Sequence, residues 1–131
     1  MSSSGRMRRG CLNSVSGARP SPGTAAYGAA KAGLHHLVTS LAIEWAPKVR
    51  LNCVAPGFVE TRASAGHYGA GDATAGWVAS TVPLQRMATP DDVADACLFL
   101  TSPQAAYFSG ATLMLHGGGE PPGFLTARGG A

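Results

Sequence analysis

The chain has 131 residues, of which 45% are hydrophobic and 13% charged; this is enough apolar material for one packed domain and too little charge for a disordered chain. The net charge of +3 comes from Arg6, Arg8 and Arg9 alone, because the other seven Lys and Arg are balanced by seven Asp and Glu. A neutral body with a short basic tip argues against a nucleic-acid-binding face, and no apolar run reaches the ~18 residues of a helical membrane span.

Residues 1–10 (MSSSGRMRRG) are polar and basic and follow no period, so they read as a tip outside the fold. Cys11 and Leu12 lead into Asn13, Ser14, Val15, Ser16 and Gly17, the end of a strand entering a turn. The loop ARPSPGT follows. From Ala25 to Trp45 the apolar residues Leu34, Leu37, Leu41 and Trp45 recur at helical spacing, and Val38 and Ala42 widen the stripe. This predicts a long and largely buried helix, ended by Pro47. Val49–Val54 is a short strand stopped by Pro56 and Gly57. Residues 62–80 are rich in Gly and Ala and hold no period before about Ala73, which predicts a mobile loop running into a short helix. Thr89-Pro90-Asp91-Asp92 is a helix start, with a cap hydroxyl, a proline at the first helical position and two carboxylates at the positive end of the dipole. Val93, Ala96, Cys97 and Leu100 form its apolar stripe, and residues 111–115 form a last strand ended by Gly117-Gly118-Gly119. The tail from residue 120 is expected to be loose.

Cys11, Cys53 and Cys97 are three in number and contain no CxxC pair. This fits neither a disulfide framework nor a zinc site, so free thiols in a reducing cytoplasm are expected. No signal-peptide core stands near the start, in keeping with that. His35 and His36 are adjacent on a helix, point apart and have no third ligand nearby, so no metal site is expected.

The chemistry lies in the pentapeptide YGAAK. Residues four apart on a helix share a face, so Tyr27 and Lys31 point the same way. An ammonium beside a phenol favours the phenolate, which should lower the tyrosine pKa from about 10 toward neutrality. A tyrosine tuned in this way can exchange a proton with an alcohol or carbonyl oxygen. Ser14 lies at a strand end, where open α/β sheets place ligand groups, and its hydroxyl could hold a substrate oxygen against that phenol.

Taken together, Ser14, Tyr27-x-x-x-Lys31 and the segment Asn52-x-x-x-Pro56-Gly57-x-Val59-x-Thr61 resemble the classical short-chain dehydrogenase/reductases. The likeness runs from about Cys11 to Gly118 and includes the helix start at Thr89. It implies an α/β fold: the C-terminal half of a Rossmann-type doubly wound parallel sheet, with about three strands and two main helices. It implies an NAD- or NADP-dependent oxidoreductase that interconverts a carbonyl and a secondary alcohol. In that family pattern Ser14 orients the substrate carbonyl and Tyr27 is the general acid or base. Lys31 bonds the nicotinamide ribose and tunes Tyr27. Pro56, Gly57, Val59 and Thr61 cradle the nicotinamide and its phosphate. His67, Tyr68 and Trp77 fall in the region that covers substrate. The long helix, residues 25–45, commonly packs against its copy, so a homo-oligomer of the complete enzyme is implied.

The resemblance also points to missing parts. The Gly-rich turn that binds the pyrophosphate and the Asn-Asn-Ala-Gly stretch have no counterpart in this sequence. Gly117-Gly118-Gly119 follows a strand but is followed by Pro121-Pro122, not by a helix start. The expectation is a partial domain, residues 11–119, with an unrelated tip at 1–10 left by truncation, a frameshift or a misassigned start. A non-catalytic fragment that associates with a complete relative is the alternative. The choice between NAD and NADP and the identity of the substrate are not readable from these residues.

Overall fold

The computed structural model describes residues 7–67 and 72–127. Three parallel strands form one sheet in the order β1-β2-β3: β1 (Met7–Leu12), β2 (Val49–Pro56) and β3 (Thr112–Leu115). Between β1 and β2 runs α1 (Ala25–Glu44). Between β2 and β3 run α2 (Arg62–His67), α3 (Asp72–Thr81) and α4 (Pro90–Thr101). The helix α5 (Gly123–Ala127) follows β3.

The layers follow from the two-residue period of β2. Leu51 and Cys53 face α1, where they pack with Val38 and Ala42. Val54 faces the other way and packs with Ala96 and Leu100 of α4. β2 is therefore buried from Arg50 to Pro56, with a helix on each face, which is why it reads as a nearly continuous apolar run. Two polar residues inside that run are satisfied by the loop before β3 and by the end of α4. Arg50 donates to the carbonyl oxygens of Phe108 (2.8 Å) and Leu100 (3.1 Å). Asn52 donates to Phe108 O at 2.8 Å and accepts from Ala111 N–H at 3.1 Å.

The helix start at Thr89 forms as predicted. Thr89 Oγ1 accepts from Asp92 N–H at 3.2 Å and Asp92 Oδ2 accepts from Thr89 N–H at 2.8 Å, closing a capping box.

Five expectations are corrected. The first strand begins at Met7, so residues 7–10 belong to the sheet. Arginines fit there because β1 is an exposed edge, and Arg8 Nη1 reaches Thr101 O at 2.7 Å, at the carbonyl end of α4. Residues 62–67 are helical: Thr61 Oγ1 accepts from Ser64 N–H at 3.0 Å and starts a turn that the Gly/Ala-rich composition hid. Residues 123–127 form a helix within the expected loose tail. α1 is less buried than its stripe implies: only Gly28, Val38 and Ala42 are fully buried, while Ile43 is 81% exposed and Leu37 and Trp45 are well exposed. Finally, Cys11 and Cys53 stand opposite each other in the β1–β2 register, with Cα atoms 4.7 Å apart, and are joined as a disulfide. Cys97 is the free cysteine. Three isolated thiols were expected because a pairing across neighbouring strands depends on register, which sequence spacing does not reveal.

Candidate active site

Ser14 leaves the C-terminal end of β1 and caps a short 3-10 turn, Val15–Gly17. Its Oγ accepts from Ser16 N–H at 3.2 Å. That turn is fastened to the start of α1 at three places. Asn13 Nδ2 donates to Lys31 O at 3.1 Å. Gly17 lies so close to α1 that a Cβ there would stand 2.6 Å from the Lys31 carbonyl carbon. Gly28 faces the Ser16 carbonyl oxygen, which a Cβ would approach to 3.0 Å. Gly28 within YGAAK and Gly17 in the turn are thus what lets the serine turn close on the tyrosine-bearing helix.

Tyr27 is half exposed, and Lys31 Nζ sits 5.5 Å from its ring centroid, within cation–π range. The one-turn spacing brings the two side chains onto one face, as the sequence predicts.

Pro56 ends β2. Gly57 N–H donates to Leu115 O at 2.9 Å, and a Cβ at Gly57 would meet His116 Cβ at 3.1 Å. Gly57 is therefore already explained by the close approach of the β2 and β3 ends. Val59 bridges to Ala88, and Ala88 bonds on both sides, to Phe58 O (2.9 Å) and from Glu60 N–H (2.8 Å). These contacts hold the segment from Pro56 to Thr61 in place beyond the strand. The Thr61 hydroxyl is engaged in starting α2.

A cavity of about 630 Å³ opens at the carboxyl ends of the three strands, where open α/β sheets bind ligands. Val15 and Gly57 connect it to the candidate catalytic segments, and Phe58, Val82 and Met114 give it an apolar lining. Arg19, His116 and Glu120 supply polar groups. Sequence reasoning assigned no role to these six; the available signal was their position just after strand ends or in the loops facing them. Among the predicted substrate residues, Trp77 is 67% exposed on α3 and does not line this cavity; Thr81 at the end of the same helix does. His67 is the last residue of α2, and Tyr68 lies outside the described residues.

Residues 8–120 match the sequence pattern of the family described as Enoyl-(Acyl carrier protein) reductase. The chain belongs to the short-chain dehydrogenase/reductase family. It is 42% identical over 119 residues to galactitol 2-dehydrogenase of Rhizobium johnstonii, a match that covers 86% of this chain and 46% of that protein. It is 40% identical over 108 residues to acetoacetyl-CoA reductase of Allochromatium vinosum, covering 82% of this chain and 43% of that one. A solved short chain oxidoreductase of Pseudomonas aeruginosa PAO1 with NADPH bound superposes with a TM-score of 0.76 at 37% identity, covering 85% of this chain and 45% of that chain. The chain thus spans less than half the length of these short-chain dehydrogenase/reductase relatives. Members of the family are oxidoreductases that use a nicotinamide cofactor.

The residues present fit one end of such a cofactor. Tyr27 and Lys31 are accessible side by side, and the Pro56–Thr61 segment is fixed just beyond a strand end. For the pyrophosphate, a Gly-rich turn running from a strand straight into a long helix is needed. Among the described residues Gly117-Gly118-Gly119 follow β3, but only the five-residue α5 comes after them.

Proposed function

We propose that this chain carries the catalytic half of an NAD- or NADP-dependent oxidoreductase that interconverts a small-molecule carbonyl and a secondary alcohol. The observation that carries this reading is the fastening of the Ser14 turn onto the Tyr27–Lys31 turn. Ser14 Oγ accepts the Ser16 N–H, which leaves its own proton to donate to a substrate oxygen. Tyr27 presents a half-exposed phenol for proton transfer to the same oxygen in reduction, and takes the proton back in oxidation. Lys31, close over the ring, supplies an ammonium able to bond the nicotinamide ribose. Pro56, Gly57, Val59 and Thr61 line the nicotinamide side. The cofactor, when bound, supplies or accepts the hydride.

The test is hydride transfer between NADH or NADPH and a panel of ketones, by the chain joined to the cofactor-binding half of a relative such as galactitol 2-dehydrogenase. Tyr27→Phe should lower turnover by about 10²–10⁴ while leaving cofactor binding nearly intact. A loss within about tenfold, small beside that range, would remove Tyr27 from the role.

A second reading is a non-catalytic module that associates with a complete relative, or with its own copy through α1. The exposed Leu37, Ile43 and Trp45 on α1 and the unpaired outer edge of β1 favour it. Turnover by the chain once joined to a relative's cofactor-binding half, set against co-purification of the unjoined chain with a complete relative, separates the two.

A further inference from the structure

Arg19 and Glu120 face each other across the mouth of the cavity. Arg19 lies five residues after Ser14, in the loop that follows the serine turn. Glu120 follows Gly117, Gly118 and Gly119, whose φ angles of +64°, +108° and +87° are open to glycine and strained for other residues. That left-handed run turns the chain back over the cavity and brings Glu120 Oε1 to 2.9 Å from Arg19 Nη2. Arg19 Nη1 donates to Pro20 O at 3.1 Å. Arg19 Nε is enclosed and has no hydrogen-bond partner.

Glu120 thus pairs by charge with the Nη2 corner of the guanidinium, while the neighbouring Nε is left without an acceptor. A planar oxyanion satisfies both at once in the fork geometry. Glu120 is the partner that can leave: its side chain is 49% exposed against 33% for Arg19, and its segment is reached through three consecutive glycines. Val15, Phe58, Val82 and Met114 give the cavity an apolar stretch beside the pair that suits a short carbon chain, with Thr81 and His116 as its other polar lining; Val15 adjoins Ser14 in the chain.

We infer that Arg19 is a specificity-determining residue which selects substrates bearing a carboxylate in addition to the reacting carbonyl or alcohol, and that Glu120 is the internal anion such a substrate displaces. This rests on the carbonyl–alcohol reading above, which by itself leaves the substrate's remote end open.

The experiment titrates the 131-residue chain, by calorimetry or NMR, with the keto acid levulinate and with its neutral methyl ester. Levulinate should bind about tenfold or more tighter than the ester, the scale of a charge-assisted pair. Glu120→Gln should tighten levulinate further, because the competing charge is gone. Arg19→Met should abolish the difference between acid and ester, and Arg19→Lys should restore only part of it, having charge without the fork. Equal binding of acid and ester, a preference that survives Arg19→Met, or failure of Glu120→Gln to tighten levulinate binding would each overturn the inference. NADH- or NADPH-dependent turnover of ketones by the chain joined to a relative's cofactor-binding half tests the oxidoreductase reading separately. Acid selectivity without such turnover would keep the site and count against that reading; turnover without selectivity would do the reverse.

Discussion

The side-chain amide of Asn13 donates to the main-chain carbonyl of Lys31 at 3.1 Å, linking the residue before Ser14 to the lysine of the YGAAK turn. Asn13 is buried, and its Oδ1 has no partner. Asn13→Ala removes one bond but also one unsatisfied acceptor, so the stability loss should be modest, about 0.5–1.5 kcal/mol. The larger effect should fall on turnover of the completed enzyme, because the serine turn loses its tether and positioning errors are costly in rate. Denaturant titration and kcat measured together check this; a large stability loss with unchanged kcat would contradict it.

Gly17 and Gly33 should respond to alanine in opposite directions. At Gly17 the added Cβ meets main-chain atoms of Lys31 and Ala32 at 2.6–2.8 Å, and neither can move aside without disturbing α1. Overpacking of this kind costs about 1–3 kcal/mol. At Gly33, inside α1, nothing lies within 4 Å of the added carbon. Gly33→Ala should therefore stabilise by about 0.5–1 kcal/mol through helix propensity. Thermal melts of the two variants decide the matter.

Asp92 sets an acid limb. The Arg86 guanidinium, bonded to both its oxygens at 2.6 and 3.2 Å, and then the Thr89 N–H, hold its carboxyl well below the usual carboxylate range. A depressed folded pKa means that the stability is fully present above the unfolded value of about 3.9 and is lost as pH falls from there toward the folded value. Asp92→Asn should flatten the stability–pH curve below about pH 4 and leave its shape near neutrality unchanged. Because the pair is solvent-exposed, the effect should shrink in high salt. Urea unfolding midpoints from pH 2 to 7, at low and high salt, would show it.

Asn52 is 1% exposed and is shared between Phe108 O and Ala111 N–H. Asn52→Ala leaves Phe108 O with Arg50 as donor but strands the Ala111 N–H. The expected cost is about 1–3 kcal/mol, the desolvation penalty of one orphaned group. Asn52→Asp keeps the acceptor but buries a charge, and should be worse at pH 7 than at pH 4. Unfolding midpoints at the two pH values check both statements.

What was legible in the sequence was local chemistry. The Thr89–Asp92 start is specified by residues that touch one another, and the Tyr27–Lys31 face follows from helix geometry alone. What was not legible depends on distant partners. Residues 7–10 read as a polar tip until β1 proved to be an exposed edge, with α4's last carbonyls within reach of Arg8. The Cys11–Cys53 pairing needs the register of β1 on β2. The cavity is built from residues before, between and after the elements that carry the motif, so Arg19 and Glu120, 101 positions apart, had no common signal. The helix at 62–67 was hidden for another reason, since glycine and alanine carry little periodicity to read.

β2 supplies Leu51 and Cys53 to one apolar cluster and Val54 to the other. A one-residue insertion or deletion within the strand would exchange these allegiances, pushing Asn52 toward Val38 and Ala42 and withdrawing Leu51 and Cys53 from them. The strand therefore links the two cores, because it contributes members to both. Length variation in this protein should be borne by the 62–81 stretch. Damage on the α4 side, far from the tyrosine, would still be felt at the serine turn that β2 helps to hold, through Asn13 N–H on Val54 O.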